Sequence, residues 1–232
     1  MRFEIHEEIL KKNPSIFIGV VVGKDIDNTG EDPYIRDYLE ENIAGILPKL
    51  TGKVKENPKV VPYREAFSAF GINPNKFMCS IEALLTRIQK TSKIPLINSV
   101  VDLGNGVSLK YVLPIGAHDL GQVSDEIEVR FSREDDLFVP FGSDQSEPVD
   151  PGEVVYASKN CVRTRRWMWR QSEIGKITEQ STYIFFPIDG FVGINEKEVI
   201  LARDELADMI EKRLGGKAIV GYVDETSPVF SA

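Results

Sequence analysis

The sequence predicts an α+β fold in which helices pack on a mixed or antiparallel sheet. Apolar residues recur at helical spacing in the first half of the 232-residue chain, and they alternate with polar residues after Pro114. The last segment again has the pattern of a helix followed by a strand. Because no repeat or long linker interrupts the chain, we expect one domain over residues 1–232, with residues 1–79 completing a core at 80–215.

The first half begins with a buried strand and continues with helices. Ile16–Val22 (IFIGVVV) is continuous and β-branched, as in a strand covered on both faces. Pro33 is placed to begin a helix, and another helix follows Pro62. Ser80 is a suitable N-cap for a helix over Ser80–Lys90. A further helix is predicted over Asn98–Val112.

The second half has the periodicity of strands. In Glu126–Ser132 three apolar residues alternate with charged ones, which predicts a half-buried strand. The final helix is predicted to begin with a capping box of Asn195 and Glu198. Further strands are predicted at Leu137–Pro140, Glu153–Ser158, Arg163–Arg170, Thr182–Pro187 and Ala218–Val223.

Composition excludes several classes of protein. A net charge of −8 disfavours a broad nucleic-acid surface, so we expect no DNA binding and only a local RNA contact. With 2 histidines and 2 cysteines, no metal site is expected, and no nucleotide-binding fingerprint predicts a cofactor. The N-terminus lacks a signal-peptide pattern and the longest apolar run is too short for a bilayer, which predicts a cytoplasmic protein without membrane contact.

The segment INSVVDLGNG is the first candidate site. Asn98 and Asp102 are four residues apart and share a helix face with Val101 and Asn105. These polar residues either fix the helix start through local hydrogen bonds or line a small-molecule pocket.

The loop PIGAHDLG is the second candidate. It has two glycines and brings His118 and Asp119 between a helix and the sheet. Histidine is the side chain best suited to proton transfer near neutral pH, although a lone histidine is commonly structural.

The segment RTRRWMWR combines four arginines with both tryptophans of the chain. As one strand, it would place Arg163, Arg165, Trp167 and Trp169 on one face and Arg166 and Arg170 on the other. Arginine binds phosphate and tryptophan stacks on bases, so this strand would suit an RNA end or an anionic ligand. The alternative is that the tryptophans are core residues and the arginines neutralise nearby acids.

The stretch INSVVDLGNGVSLKYVLPIGAHDL resembles part of the bacterial phenylalanyl-tRNA synthetase beta chain. The consensus there reads IN-VVD-TNYV, followed by a loop Gly-Pro-Leu-His-Ala-Phe-Asp-Leu. The segments EIEVRF, VDPGEVVYASK and ITEQSTYIFF follow in the family's order, so the resemblance covers about residues 80 to 190. It implies a B3/B4-type fold and a free-standing relative of the domain that hydrolyses misacylated tRNA.

The resemblance also implies site residues. Asn98, Asp102 and Asn105 match the family's helix, and Asp119 matches the end of its loop. The family's editing histidine then falls on Gly116, with His118 two residues away. Glu173 lies near the family's pocket glutamate.

Bulky residues, including Trp167 and Trp169, replace a Gly-Gly turn of the family, which predicts a pocket of different shape. The implied activity is a trans-acting aminoacyl-tRNA deacylase. Glu173 or His118 would orient water in such an enzyme, and tRNA or its 3′ end would be the partner. The alternatives are a non-catalytic module for an amino acid or small anion, and an RNA-binding domain on the same fold.

Overall fold

The computed structural model describes residues 1–122 and 124–232. Its helices are α1 (Glu7–Lys12), α2 (Pro33–Ile46), α3 (Val61–Ala69), α4 (Ser80–Thr91), α5 (Ser99–Tyr111) and α6 (Glu196–Arg213), with single 3-10 turns at Leu47–Lys49 and Val54–Glu56. Its strands are β1 (Arg2–Ile5), β2 (Ile16–Lys24), β3 (His118–Asp119), β4 (Glu126–Phe131), β5 (Leu137–Phe138), β6 (Glu147–Pro148), β7 (Val154–Ser158), β8 (Cys161–Arg165), β9 (Arg170–Gln171), β10 (Ile184–Phe191), β11 (Lys217–Val223) and β12 (Val229–Ser231).

A four-stranded antiparallel sheet in the order β11-β2-β10-β3 forms the centre of the molecule. The continuous apolar run of β2 is buried on both faces, as the sequence predicted. Ile18 and Val20 on one face and Phe17 and Val21 on the other belong to separate apolar clusters. Helices α2, α5 and α6 contribute to the second cluster, so they cover that face of the sheet.

The second sheet is mixed, with the order β12-β1-β4-β7-β8-β5-β6 and β9 paired with β8. Strands β1 and β4 are parallel, as are β5 and β8, and the other pairs are antiparallel. The predicted α+β class with a mixed sheet is confirmed. Strands β1 and β12 were not predicted, because their short, terminal segments have too few residues to show a period.

The N-terminal segment contributes strands to both sheets. Strand β1 pairs with β4, and β2 lies between β10 and β11. We propose on this ground that residues 1–79 complete one structural unit around residues 80–215. Among residues 1–122 and 124–232, no helix has the length and apolar character needed to cross a membrane.

Three local predictions are corrected. Cys79, not Ser80, is the N-cap of α4. The side chain of Asn195 accepts a hydrogen bond from the backbone N–H of Phe191 at 2.8 Å, so it forms no capping box. The predicted strand over Arg163–Arg170 is wrong beyond its first half, because β8 ends at Arg165 and the next two residues have positive φ values of 47° and 61°.

Candidate functional site

A cavity of about 400 Å³ lies between α5, the loop after it and the segment after β9. Its wall is mainly apolar, with two side-chain amides and one ammonium group as its polar side chains. The lining residues are Ile97, Val101, Gly104, Asn105, Ile115, Gly116, Ala117, Phe141, Gln171, Lys176 and Ile177. Such a wall suits a small ligand with an apolar part.

A second cavity of about 180 Å³ adjoins the first, since Ile115, Gly116 and Gln171 line both. Its wall is aromatic and polar. The other lining residues are Ser80, His118, Tyr156, Thr164, Trp167, Met168, Trp169, Arg170, Pro187 and Asp189. The two cavities together provide an apolar compartment and a polar one.

Hydrogen bonds fix the loop between the two cavities. The backbone N–H of Gly116 donates to the carbonyl of Pro187 at 3.0 Å. The side-chain amide of Gln171 donates to the carbonyl of Ala117 at 2.6 Å. A Cβ at Gly116 would lie 3.1 Å from Pro187 Cγ and 3.3 Å from His118 Nε2. Glycine therefore leaves the space beside the imidazole open.

His118 is a buried, neutral imidazole in the wall of the smaller cavity. It is 1% exposed, and its ring stacks between Tyr156 and Phe185 at centroid distances of 5.9 and 6.1 Å. Burial, with a contribution from the charge of Arg163, lowers the pKa of His118 to about 3. Its Nδ1 has no hydrogen-bond partner among the described residues. The ring is thus uncharged at neutral pH.

Asp189 is the main polar group of the smaller cavity that sequence reasoning missed. It is 3% exposed, and its Oδ1 accepts from Tyr156 Oη at 2.7 Å and from Trp167 Nε1 at 2.8 Å. Burial raises the pKa of Asp189 to about 7, against the opposing effect of these hydrogen bonds. It is the one charged residue of the apolar strand β10, a signal that was present in the sequence. Gln171, Lys176 and Tyr156 were missed as well, and no local pattern distinguished them.

Glu173 lies beside the larger cavity but does not line it. Its carboxylate accepts a hydrogen bond from the backbone N–H of Gly142 at 3.0 Å and is paired with Lys176. The hydrogen bond from Lys176 lowers the pKa of Glu173, so this carboxylate stays ionised. Glu173 therefore holds Lys176 at the cavity wall.

Asn98 and Asp102 start helix α5 and line neither of the two cavities. Asn98 caps the helix by accepting from the N–H of Val101 at 3.0 Å. Asp102 accepts from the N–H of Ile97 at 3.0 Å, and burial raises its pKa to about 6. These two residues thus make the local hydrogen bonds of the first interpretation, whereas Asn105, one turn further along, lines the larger cavity.

Asp119 also lies away from both cavities. Its carboxylate accepts from Ser181 Oγ at 2.6 Å, from Gln122 Nε2 at 3.1 Å and from the N–H of Gly121 at 2.8 Å. These bonds satisfy both oxygens and join the loop to the segment before β10. The expectation that Asp119 shapes the pocket directly is corrected by this placement.

Arg163 is fully buried, which excludes contact with RNA in this conformation. It donates to the carbonyl of Asp119 at 3.1 Å and to Ser158 Oγ at 3.2 Å. Its Nη1 has no partner among the described residues, and burial lowers its pKa. Gly175 lies directly against this guanidinium, because a Cβ there would be 1.9 Å from Nη1.

The other arginines do not form the predicted common surface. Arg165 and Arg166 both pair with Glu153, at 3.1 and 2.8 Å, and Arg165 also pairs with Glu147 at 3.0 Å. They neutralise acids, as the alternative interpretation had it. Arg170 is exposed and makes no ion pair within the described part of the chain.

The two tryptophans both line the smaller cavity. Trp167 is fully buried, and Trp169 packs edge-on against Phe77 at a centroid distance of 4.8 Å. The predicted difference in shape from the family's pocket stays a prediction.

Among residues 1–122 and 124–232, one group of side chains has the spacing to hold a metal ion. Ligand atoms of Glu4, His6 and Glu128 lie within 4.8 Å of one another. Arg2 pairs with Glu4 and Arg130 with Glu128, so protein cations already balance both carboxylates. Glu4 lies on β1, His6 is the N-cap of α1 and Glu128 lies on β4, and none of the three lines either cavity.

The fold is an α+β domain with two adjoining cavities between helix and sheet. The chain belongs to the B3/4 domain family, whose model matches residues 62–215, and the predicted resemblance is thereby confirmed. No curated protein matches it. Among solved structures it is similar to an N-terminal fragment of the phenylalanyl-tRNA synthetase beta-subunit from Pyrococcus horikoshii, with 12% identity and a TM-score of 0.47 over 93% of this chain and 49% of that one. The chain thus spans about half the length of that fragment.

Proposed function

We propose that this chain binds the aminoacyl group of a mischarged tRNA and hydrolyses its ester. The observation that carries this proposal is that an apolar cavity of about 400 Å³ lies next to a polar cavity whose wall includes a neutral imidazole. An apolar amino-acid side chain fits the first compartment. The ester is then left at the junction formed by Gly116.

The reaction needs little beyond positioning, because an ester to a ribose hydroxyl is already activated. The water oxygen bonds to the carbonyl carbon, and the bond to the ribose oxygen breaks. The leaving ribose oxygen takes up the proton that the water loses. His118 accepts a hydrogen bond from this water through its ring nitrogen next to Gly116, which aligns the attack. Glu173 is a positioning residue: it does not line the larger cavity itself, and it acts by holding the ammonium group of Lys176 at the cavity wall.

The test is hydrolysis of a panel of correctly and incorrectly charged tRNAs. We expect one mischarged class to be deacylated, and His118→Phe to slow that hydrolysis by about 100-fold, because the attacking water loses the hydrogen bond that aligns it. The phenyl ring keeps the stack between Tyr156 and Phe185. His6→Gln, at the other histidine of the chain, is the matched control and should retain the wild-type rate. Hydrolysis unchanged in His118→Phe would remove the proposed role of the imidazole.

A second candidate function is binding of a free amino acid without hydrolysis. This second function is favoured by the state of three arginines. Arg165 and Arg166 pair with Glu153 and Arg163 is buried, so none of these three cations is free to bind RNA phosphates. Salt separates the two functions. Binding through several phosphates weakens steeply as salt rises, whereas binding of a zwitterion changes little.

A further inference from the structure

The smaller cavity has the composition of a site for a cation. Its wall includes one carboxylate, Asp189, and the aromatic side chains of Tyr156, Trp167 and Trp169. The faces of aromatic rings attract cations, and tryptophan does so most strongly. Trp169 already faces two guanidinium groups, Arg166 at 4.9 Å and Arg170 at 5.9 Å from its ring centroid, so Tyr156 and Trp167 are the rings left for a ligand cation.

The hydrogen bonds of Asp189 leave one of its oxygens for a ligand. Both side-chain donors, Tyr156 and Trp167, bind Oδ1, and no donor of the described residues reaches Oδ2. No ion pair of Asp189 is present in the described part of the chain. A carboxylate that is 97% buried without a cation is costly, and its pKa of about 7 reflects this. A cationic ligand would supply the missing partner.

The backbone fixes this carboxylate in place. Asp189 lies in the central strand β10, opposite Ile18 of β2. Its N–H donates to the carbonyl of Pro114 at 3.0 Å, and its own carbonyl accepts from Tyr63 Oη at 2.9 Å. The site is therefore built before any ligand arrives, so binding requires little reorganisation.

We infer that Asp189 and the aromatic wall around it bind the primary ammonium group of the ligand whose apolar side chain occupies the larger cavity. This assignment rests on the proposed function of the same site and specifies its substrate as an α-amino compound. A cavity of about 180 Å³ suits a compact cation, and the lining residues that it shares with the larger cavity place the two compartments next to each other.

Calorimetric titration with pairs of neutral amides tests the inference. Alaninamide, leucinamide and phenylalaninamide each carry an ammonium group, and propanamide, isocaproamide and hydrocinnamamide are their deaminated twins. In the wild type we expect at least one amine to bind about tenfold or more tighter than its twin, equivalent to about 1.4 kcal/mol. The ratio of the affinity for the amine to the affinity for its twin should fall to about one in Asp189→Asn. This variant keeps the oxygen that accepts hydrogen bonds from Tyr156 and Trp167.

Asp102→Asn is the matched control, because Asp102 is also a buried carboxylate with a raised pKa but lies outside both cavities. Its ratio of amine to twin affinity should equal that of the wild type. Equal affinity for amine and twin in the wild type, a preference that persists in Asp189→Asn, or no binding of any amine at millimolar concentration would each overturn the inference.

The two proposals fail separately. Amine preference without hydrolysis of any aminoacyl-tRNA would retain the ammonium site and reject the hydrolase. Hydrolysis of aminoacyl-tRNA without amine preference would reject the ammonium site alone.

Discussion

Replacing Asp189 by asparagine should remove a charge that destabilises the fold at neutral pH. The side chain is 3% exposed, and burial raises its pKa from 3.8 to about 7. In the unfolded chain the group ionises near pH 4, whereas in the folded chain it stays protonated until about pH 7. Its contribution to stability is complete below pH 4 and is lost as the pH rises through 7.

The magnitude follows from the two pKa values. At 1.36 kcal/mol per pKa unit, the rise from 3.8 to about 7 lowers the free energy of unfolding by about 4 kcal/mol above both values. Asparagine has no charge and so avoids this loss of stability. Its Nδ2, however, takes the place of Oδ2, the oxygen that no donor of the described residues reaches. An unpartnered amide there costs about 1–3 kcal/mol at every pH. The stability of the variant relative to the wild type should therefore rise by about 4 kcal/mol from pH 4 to pH 8.

Other groups around Asp189 leave this difference unchanged. Burial raises the pKa values of Tyr63 and Tyr156, and raises that of Cys79 to about 12, so none of them titrates between pH 4 and 8. His118 is present in both proteins. Urea denaturation followed by far-ultraviolet circular dichroism at several pH values measures the difference. A difference that stays flat from pH 4 to pH 8 would refute the buried, uncompensated state of this carboxylate.

Two further substitutions test the packing around the site. The pKa of His118 is about 3 in the fold, against an ordinary value of 6.5, so the wild type loses stability as the pH falls below 6.5. The stability of His118→Phe relative to the wild type should therefore rise by about 2 kcal/mol when the pH is lowered from 7 to 5. Urea denaturation at the two pH values checks this, and an unchanged difference would contradict it. Gly175 and Gly142 have φ values of +79° and +76°, but only Gly175 faces a buried guanidinium. Gly142→Ala should therefore cost about 1 kcal/mol and Gly175→Ala several times more by thermal unfolding, whereas equal costs would show that the buried arginine moves freely.

The sequence predicted helices α2 to α6 and the central strand β2 because each has a clear period or a continuous apolar run, whereas the six-residue helix α1 was missed. Helix α5 begins at the N-cap Asn98 and ends at Tyr111, close to the predicted Asn98–Val112. Strand β2 was recognisable since seven apolar or small residues follow one another. The order of strands in the two sheets could not be predicted, because pairings such as β1 with β4 join segments more than 100 residues apart, and no local pattern specifies them.

The segment Arg163–Arg170 shows why the site was only partly predictable. Its alternation of arginine and tryptophan has the period of a strand, but the backbone turns at Arg166 and Trp167. The reason is tertiary: the Nε1 of Trp167 donates to Asp189, a residue 22 positions away. The hydrogen bond to the buried Asp189 thus outweighs the local strand pattern of the segment. Nothing in the sequence indicates that Trp167 and Asp189 are partners.

Buried polar groups concentrate where the two sheets and the loop after α5 meet. His118 is held neutral, and within the part of the chain that the structure describes, Arg163 has no partner for one nitrogen and Asp189 has no ion-pair partner. Each arrangement destabilises the fold, and apolar residues of similar size would fill the same volume without that loss. Buried polar groups with unmet hydrogen bonds or charges are typical of sites that complete them with a ligand. His118 and Asp189 both line the smaller cavity, so a ligand bound there as proposed would meet both groups.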